Sequence, residues 1–336
     1  MGKVDRILVL SIKAGAGHLR AAEALEAALA EEHPGVEVHH VETLALTNAA
    51  FRKSYTGMYE ELVRHLPSVW GMIYERMERR AVDSTMKRLG ALVDRLNARP
   101  LLKQVEAFAP DRIVCTHYLP AELLAPRRRK GKLGCPLFVT LTDYDIHVMW
   151  IQEGVDGYFV ATEGMAYALR AKGVGDATVD VTGIPIMPAF AKRYPSKPAM
   201  RRRLGLRPEP ATVLVAAGGF GLAGIDETVA SLAEVADDAQ FLAIAGRNEK
   251  LEAKLRAVAE SRPGKVVPFG FVDNMHELMA ASDLAVTKCG GLTSSECMAM
   301  GLPMVIIDPI PGQEERNCLL YTSPSPRDLS TSRMPS

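Results

Sequence analysis

Short β-branched runs alternate with helix-period segments along almost the whole chain, and this alternation limits the possible folds more than any other feature. RILVLSI (6–12), VEVHHV (36–41), RIVCT (112–116), PLFVTL (136–141), GYFVAT (157–162) and TVDVTG (178–183) read as strands, with a helical pattern over 18–32 after the first. Strands separated by helix-length segments pair in parallel, because a parallel neighbour is reached only through a crossover. Residues 183–199 (GIPIMPAFAKRYPSKPA) interrupt the pattern with Pro185, Pro188, Pro195 and Pro198, which oppose both helix interior and central strand. A second series follows: strands at 211–218, 240–246, 265–271, 283–288 and 303–308, with helices near 226–236, 250–260 and 293–300. At roughly 150 residues per domain, 336 residues support two domains. The expectation is α/β: two Rossmann-like domains, 1–183 and 200–317, joined by a linker at 184–199 and facing across a cleft that is the default ligand site. From Cys318 to Ser336 the text is Ser/Pro/Arg-rich and shows neither period, so an aberrant, disordered tail is expected, with the second domain apparently truncated.

Composition excludes several classes. Lys+Arg and Asp+Glu tie at 40 each, which disfavours a basic nucleic-acid binder. The five cysteines, Cys115, Cys135, Cys289, Cys297 and Cys318, contain no C-x-x-C pair, so a zinc or redox motif has no support and a reducing cytoplasm fits best. No apolar run reaches the roughly 18 residues of a membrane span, and the N-terminus lacks a signal-peptide pattern, so any membrane contact is expected to be peripheral. Residues 51–103 carry 11 basic against 6 acidic residues and two helical stripes: Tyr59, Leu62, Val63 and Leu66, then Trp70, Ile73, Tyr74 and Met77 after Pro67. Two readings stand: the stripes pack on the first sheet, or part of this surface, with Arg76, Arg79 and Arg80, sits on an anionic membrane.

The chemistry-bearing motifs fall at the carboxyl ends of the strands. Lys13-Ala14-Gly15-Ala16-Gly17-His18 joins the first strand to a helix, and Gly15 and Gly17 let backbone approach a ligand at the positive helix end. Arg20 stands where a dinucleotide fingerprint needs its third Gly, which argues against a nicotinamide cofactor. His18 reads as a cap or packing residue, or as a general base. THYLP (116–120) with His117 and TDYDIHVMW (142–150) with Asp143, His147 and Trp150 follow. Asp143-Tyr144-Asp145 has the form of a metal-binding D-x-D, but these residues fit an acceptor pocket or an interdomain surface better. In the second half, Gly290 and Gly291 precede Thr293, Ser294 and Ser295 at a helix start that can hold a diphosphate without metal, and Glu296 can take vicinal ribose hydroxyls. Alone, this block is also compatible with an N-capped structural helix. Lys288 either adds charge there or is a surface residue.

Together, AAGGFG (216–221), AGRN (245–248) and the text from Gly270 to Asn317 resemble the nucleotide-sugar domain of GT-B glycosyltransferases of family 28. With AGAGH, THYLP and TDYDIHVMW, the chain resembles the monogalactosyldiacylglycerol synthases and bacterial processive diacylglycerol glucosyltransferases over residues 5–317. On the donor side the resemblance implies a glycine loop at Gly218, Gly219 and Gly221, with Arg247 nearby and a base-contacting block around Phe271 and Val272. It also implies a diphosphate loop at Gly290, Gly291, Thr293 and Ser294, a ribose acid at Glu296 and a hexose block at Gln313, Glu314 and Asn317. Gly15, Gly17, His18, His117, His147 and Trp150 fall on the acceptor side. The implied reaction is inverting transfer of a hexose from UDP-glucose or UDP-galactose to diacylglycerol or glycosyl-diacylglycerol at the inner face of the cell membrane. It needs no cofactor or metal; His18 is the base and Asp143 the next candidate. Two rivals remain. One is a peptidoglycan-precursor N-acetylglucosaminyltransferase, against which TDYDIHVMW argues; the other is an incomplete UDP- or lipid-binding fragment, because the family chain continues past Asn317. The family loop T-K-P-G-P-G-T stands here as T-K-C-G-G-L-T, without the proline at Cys289, and AGAGH replaces three consecutive glycines.

Overall fold

A computed structural model describes residues 4–13, 15–47, 49, 52–53, 57, 66–79, 99–174, 178–216 and 224–322. It contains two fully parallel sheets. The first has strands β1 (Arg6–Ser11), β2 (Glu37–Glu42), β3 (Arg112–Cys115), β4 (Leu137–Thr140), β5 (Gly157–Val160) and β6 (Val179–Val181), in the order β2-β1-β3-β4-β5-β6. The second has β7 (Ala211–Ala216), β8 (Ala239–Ile244), β9 (Val266–Phe269), β10 (Leu284–Thr287) and β11 (Met304–Ile306), in the order β11-β10-β7-β8-β9. All eleven sequence-predicted strands are present.

The helices are α1 (Gly17–Glu32), α2 (Pro67–Arg79), α3 (Tyr118–Arg129), α4 (Glu163–Ala171), α5 (Lys197–Arg203), α6 (Ile225–Val235), α7 (Glu249–Ser261), α8 (Met275–Ala281), α9 (Gly291–Ala299) and α10 (Gln313–Thr322). Both faces of a parallel sheet are covered, so its strands read as continuous apolar runs. In β8 all six residues are buried, and successive side chains enter opposite cores. Phe241 and Ala243 pack with Val229 and Leu255 on one face; Leu242 and Ile244 pack with Met200 and Leu278 on the other.

The Pro-rich segment is packed. Ile184 lies between the two sheets' helices, Phe190 is buried in the second core, and α5 already begins at Lys197 with Pro198 in its first turn, where a missing N–H costs nothing. The C-terminal expectation needs correcting: α10 runs to Thr322, so residues 318–322 are helical, and 323–336 lie outside the described residues. Glu314 and Glu315 start this helix by accepting from the N–H groups of Ile310 and Gly312.

In each sheet the strand order reverses at one point, between β1 and β3 in the first and between β7 and β10 in the second. At such a point the connections leave in opposite directions and open a crevice beyond the strand carboxyl ends. The turn into α1 and the loop after β3 share the first crevice; the loop after β10 and the start of α9 occupy the second. α1 and α9 meet, with Ala21, Ile184 and Leu292 forming a small apolar cluster joined by Tyr144 and Ala161.

Candidate functional site

His18, at the start of α1, is placed by the switch point of the first sheet. Its Nδ1 lies 3.0 Å from the Thr116 carbonyl and 2.8 Å from Thr142 Oγ1. A carbonyl only accepts, so Nδ1 carries the proton and Nε2 the lone pair, the tautomer a general base needs. Thr116 Oγ1 in turn donates to the His18 carbonyl at 2.8 Å. His117 stands edge-on to the His18 ring at 4.5 Å, and Trp150 lies 6.0 Å from both. This desolvating cage lowers the His18 pKa below the ordinary histidine value, partly offset by the Asp143 carboxylate and the Thr116 carbonyl.

Three sequence-predicted histidines therefore do three different jobs. His117 Nδ1 accepts from Leu119 N–H and caps α3; burial, with His18 beside it, holds it neutral and well below the usual pKa. His147 requires a correction: it is 1% exposed, donates from Nε2 to the Tyr74 carbonyl at 3.0 Å and accepts from Met149 N–H. It braces α2 and does not line an acceptor surface. Among the described residues, α2 packs against the 148–150 turn and loop 311–312. Gly71 and Gly312 leave room for Pro311 and Tyr74 in these contacts. Tyr59, Leu62, Val63, Arg80 and the side chains of Met77 and Arg79 lie outside the described residues. Gly15 takes φ +77° in the turn, a conformation that favours glycine, and Gly17 opens α1 against Leu292.

Both carboxylates of the D-x-D stretch are engaged across the cleft. Asp145 pairs with Arg316 at 2.8 Å, and Asp143 accepts from Asn317 Nδ2 at 3.2 Å. The Tyr144 N–H donates to Asn317 Oδ1 at 2.8 Å. Ser295 Oγ spends its proton on the Gly291 carbonyl, so the Tyr144 hydroxyl donates to Ser295 at 2.6 Å. This is the interdomain option of the sequence reading. Among the described residues no group of three His, Cys, Asp or Glu side chains is placed to hold a metal ion.

Beyond β10, Gly290 stands just before α9, and Gly291, Thr293 and Ser294 lie in its first turn, which has no side-chain cap, so the amides ahead of Ser294 carry the positive end of the helix dipole. A Cβ on Gly291 would lie 1.9 Å from the Thr142 carbonyl oxygen, so glycine is required by contact with the other domain. Glu296 is one turn further along; burial raises its pKa to about 7, against the opposing pull of Arg20 from α1. A Cβ on Gly290 would lie 3.8 Å from Glu314 Oε1. The Glu314 pKa is raised by burial and by Asp143, and held back by the Ile310 amide and Lys288. Lys288 is thus in the electrostatic field of the site.

Arg247 stacks over Phe271 at 4.5 Å, beyond β8 and β9, and Phe271 is 61% exposed while Val272 packs into the core. Gly218, Gly219, Gly221 and the Gln313 side chain lie outside the described residues. Asn317, expected at the hexose, is fully buried in the seam instead. Sequence reasoning missed Thr142, Tyr144, Ser295 and Arg316 as seam residues, because their partners are more than 100 positions away.

Comparison with known proteins agrees with this arrangement. Residues 18–186 match the monogalactosyldiacylglycerol (MGDG) synthase family, and residues 212–317 match the glycosyltransferase family 28 C-terminal domain. The processive diacylglycerol beta-glucosyltransferase of Bacillus subtilis (strain 168) is 29% identical over 328 residues, covering 96% of this chain and 82% of that protein. Among solved structures, Acinetobacter baumannii MurG superposes with a TM-score of 0.57 at 12% identity, covering 96% of this chain and 84% of that one. The UDP-GlcNAc 2-epimerase from Neisseria meningitidis gives 0.53 at 13% identity, covering 94% and 90%. At these identities the two structures establish the GT-B fold alone.

Proposed function

Because the chain belongs to the monogalactosyldiacylglycerol synthase family of glycosyltransferases, we propose that it transfers a hexose from UDP-glucose or UDP-galactose to diacylglycerol or glycosyl-diacylglycerol, with inversion at the anomeric carbon. The observation that carries this reading is the fixed His18 tautomer: Nδ1 is bound to Thr116 and Nε2 has no partner among the described residues. The acceptor hydroxyl passes its proton to Nε2 as its oxygen attacks the anomeric carbon, and the bond to the UDP oxygen breaks on the opposite face. Negative charge then builds on the diphosphate, where the α9 amides and Lys288 stabilise it without reorganisation. The 18–186 match supports a lipid acceptor over a peptidoglycan precursor. The test is a transfer assay with labelled UDP-glucose and UDP-galactose on diacylglycerol micelles, run with and without EDTA. Transfer of one hexose that persists in chelator is expected. Loss of transfer in EDTA, restored by manganese, would overturn the metal-free reading, and no transfer to lipid would overturn the acceptor.

Glu296 supplies a pH signature. Taking ribose hydroxyls requires the carboxylate, and with burial raising its pKa to about 7, protonation competes with UDP as pH falls. UDP affinity should therefore rise with pH up to about 7 and level off above it. Glu296→Gln should abolish this dependence, and Glu296→Ala should cost about 2–4 kcal/mol of UDP binding by calorimetry. A flat wild-type profile, or an unchanged affinity in the alanine variant, would remove Glu296 from the ribose.

A lipid acceptor must be drawn from a bilayer, and we place the enzyme peripherally on the cytoplasmic face. No helix among the described residues is long and apolar enough to cross a membrane. α2 turns Met72 and Ile73 outward beside exposed Arg76, with exposed Leu66 just before it. Each basic residue near an anionic surface contributes about 1 kcal/mol. Sedimentation with phosphatidylglycerol vesicles should show salt-sensitive binding that weakens in Met72→Ser/Arg76→Ser; equal binding by that variant would move the contact elsewhere.

A further inference from the structure

The turn at 142–145 is held from both sides, and one residue does most of the holding. Thr142 Oγ1 lies 2.8 Å from His18 Nδ1, while the carbonyl of the same residue sits against Gly291. The next two residues are fixed by a single carboxamide: Asn317 Oδ1 accepts from Tyr144 N–H at 2.8 Å, and Nδ2 donates to Asp143 Oδ1 at 3.2 Å. The same Nδ2 donates to the Cys289 carbonyl at 3.1 Å, immediately before Gly290. Asn317 has no exposed surface, and its two amide hydrogens and carbonyl oxygen are all engaged within the protein.

We propose that Asn317 is a positioning residue that ties the loop after β10 to the 142–145 turn, and through Thr142 fixes the imidazole of His18, so that the base is aligned only when the two domains are seated. This rests on the reading of His18 as the base and deepens it. It differs from a role in contacting hexose, which the burial of the carboxamide leaves no surface to perform.

The geometry explains why an amide is needed. The turn offers a donor, the Tyr144 N–H, and an acceptor, the Asp143 carboxylate, and the loop after β10 offers a second acceptor, the Cys289 carbonyl. Only a side chain with one acceptor and two donors meets all three. Aspartate has the same shape but would bring two acceptors against Asp143 and Cys289.

The test uses the full chain with selectively ¹⁵N-labelled histidine, the His18 signals being assigned by their loss in His18→Gln. Wild type should show His18 as a single Nδ1–H tautomer. The Thr116 carbonyl holds the Nδ1 proton in every variant, so Asn317→Ala and Asn317→Asp should keep that tautomer but shift and broaden the His18 ring-nitrogen signals as the Thr142 contact loosens, while Arg316→Ala, which removes the ion pair with Asp145 and the stacking on Tyr74, should not. In steady-state transfer Asn317→Ala should lower kcat at least 30-fold and leave the affinities for UDP and UDP-glucose within about threefold of wild type. Unchanged His18 ring-nitrogen shifts and linewidths in Asn317→Ala would overturn the proposal, whether or not the wild type transfers sugar. Selective loss of UDP-glucose affinity with UDP affinity kept would return Asn317 to the hexose. An equal change of the His18 signals in Arg316→Ala would overturn the special role of Asn317 and assign the effect to domain seating as a whole. If His18 responds as expected but the wild type transfers nothing to lipid, the acceptor reading fails and the positioning role stands.

Discussion

His18→Ala should lower turnover by about 10²-fold or more and leave UDP affinity unchanged, because a general base acts on the acceptor proton and touches no part of the donor. The expectation follows from the way the ring is held. Its Nδ1 proton is committed to the Thr116 carbonyl, so Nε2 is the basic nitrogen, and burial keeps the imidazole neutral to lower pH than a free histidine. The acid limb of the rate profile should therefore lie below the ordinary histidine pKa. Below that limb the ring is protonated and cannot accept a proton; above it the rate should be flat. The Glu296 effect differs in kind, since it acts on donor affinity with a midpoint of about 7. Saturating UDP-sugar removes the Glu296 limb and leaves the His18 limb, so the two are separable in one experiment. A His18→Ala enzyme at full rate would pass the role to Asp143.

The central strands were legible because they write their burial in their own residues. ILVL in β1 and FLAI in β8 are apolar on both faces, and the intervening helices supply the crossovers. The helices with unusual starts were less visible. α3 begins at Tyr118 with His117 as its cap and contains Pro126, so propensity alone gives little sign of it. The Gly-rich block at 290–295 was legible as the start of a helix, but the contact its second glycine makes was not. That Gly291 must also clear the Thr142 carbonyl depends on how two domains dock, and no local pattern encodes docking. The D-x-D stretch shows the same limit. Two acidic residues spaced two apart read alike whether they hold a metal or pair with Arg316 and Asn317, and only the partner across the cleft distinguishes them.

Gly291→Ala tests whether this closed seam is the working state, and its effect should be large although the change is a single methyl group. The added Cβ would stand 1.9 Å from the Thr142 oxygen and 2.9 Å from the Thr142 carbonyl carbon. Both atoms are backbone, so no side-chain rotation relieves the clash, and either α9 or the 142–145 turn must retreat. Overpacking of this kind costs about 1–3 kcal/mol. Retreat of the turn also pulls Thr142 Oγ1 from His18 and strains the Tyr144–Ser295 and Asn317 bonds. A displacement of about 1 Å at a reacting group is enough to cost 10²-fold in rate. The expected result is a fall in kcat of about that size, with a modest loss of thermal stability. Small-angle scattering should show a wider separation of the two domains than in the unmodified chain. A Gly291→Ala enzyme with full kcat and unchanged scattering would mean that the seam yields without consequence, and that alignment of His18 does not depend on contact between α9 and the turn after β4.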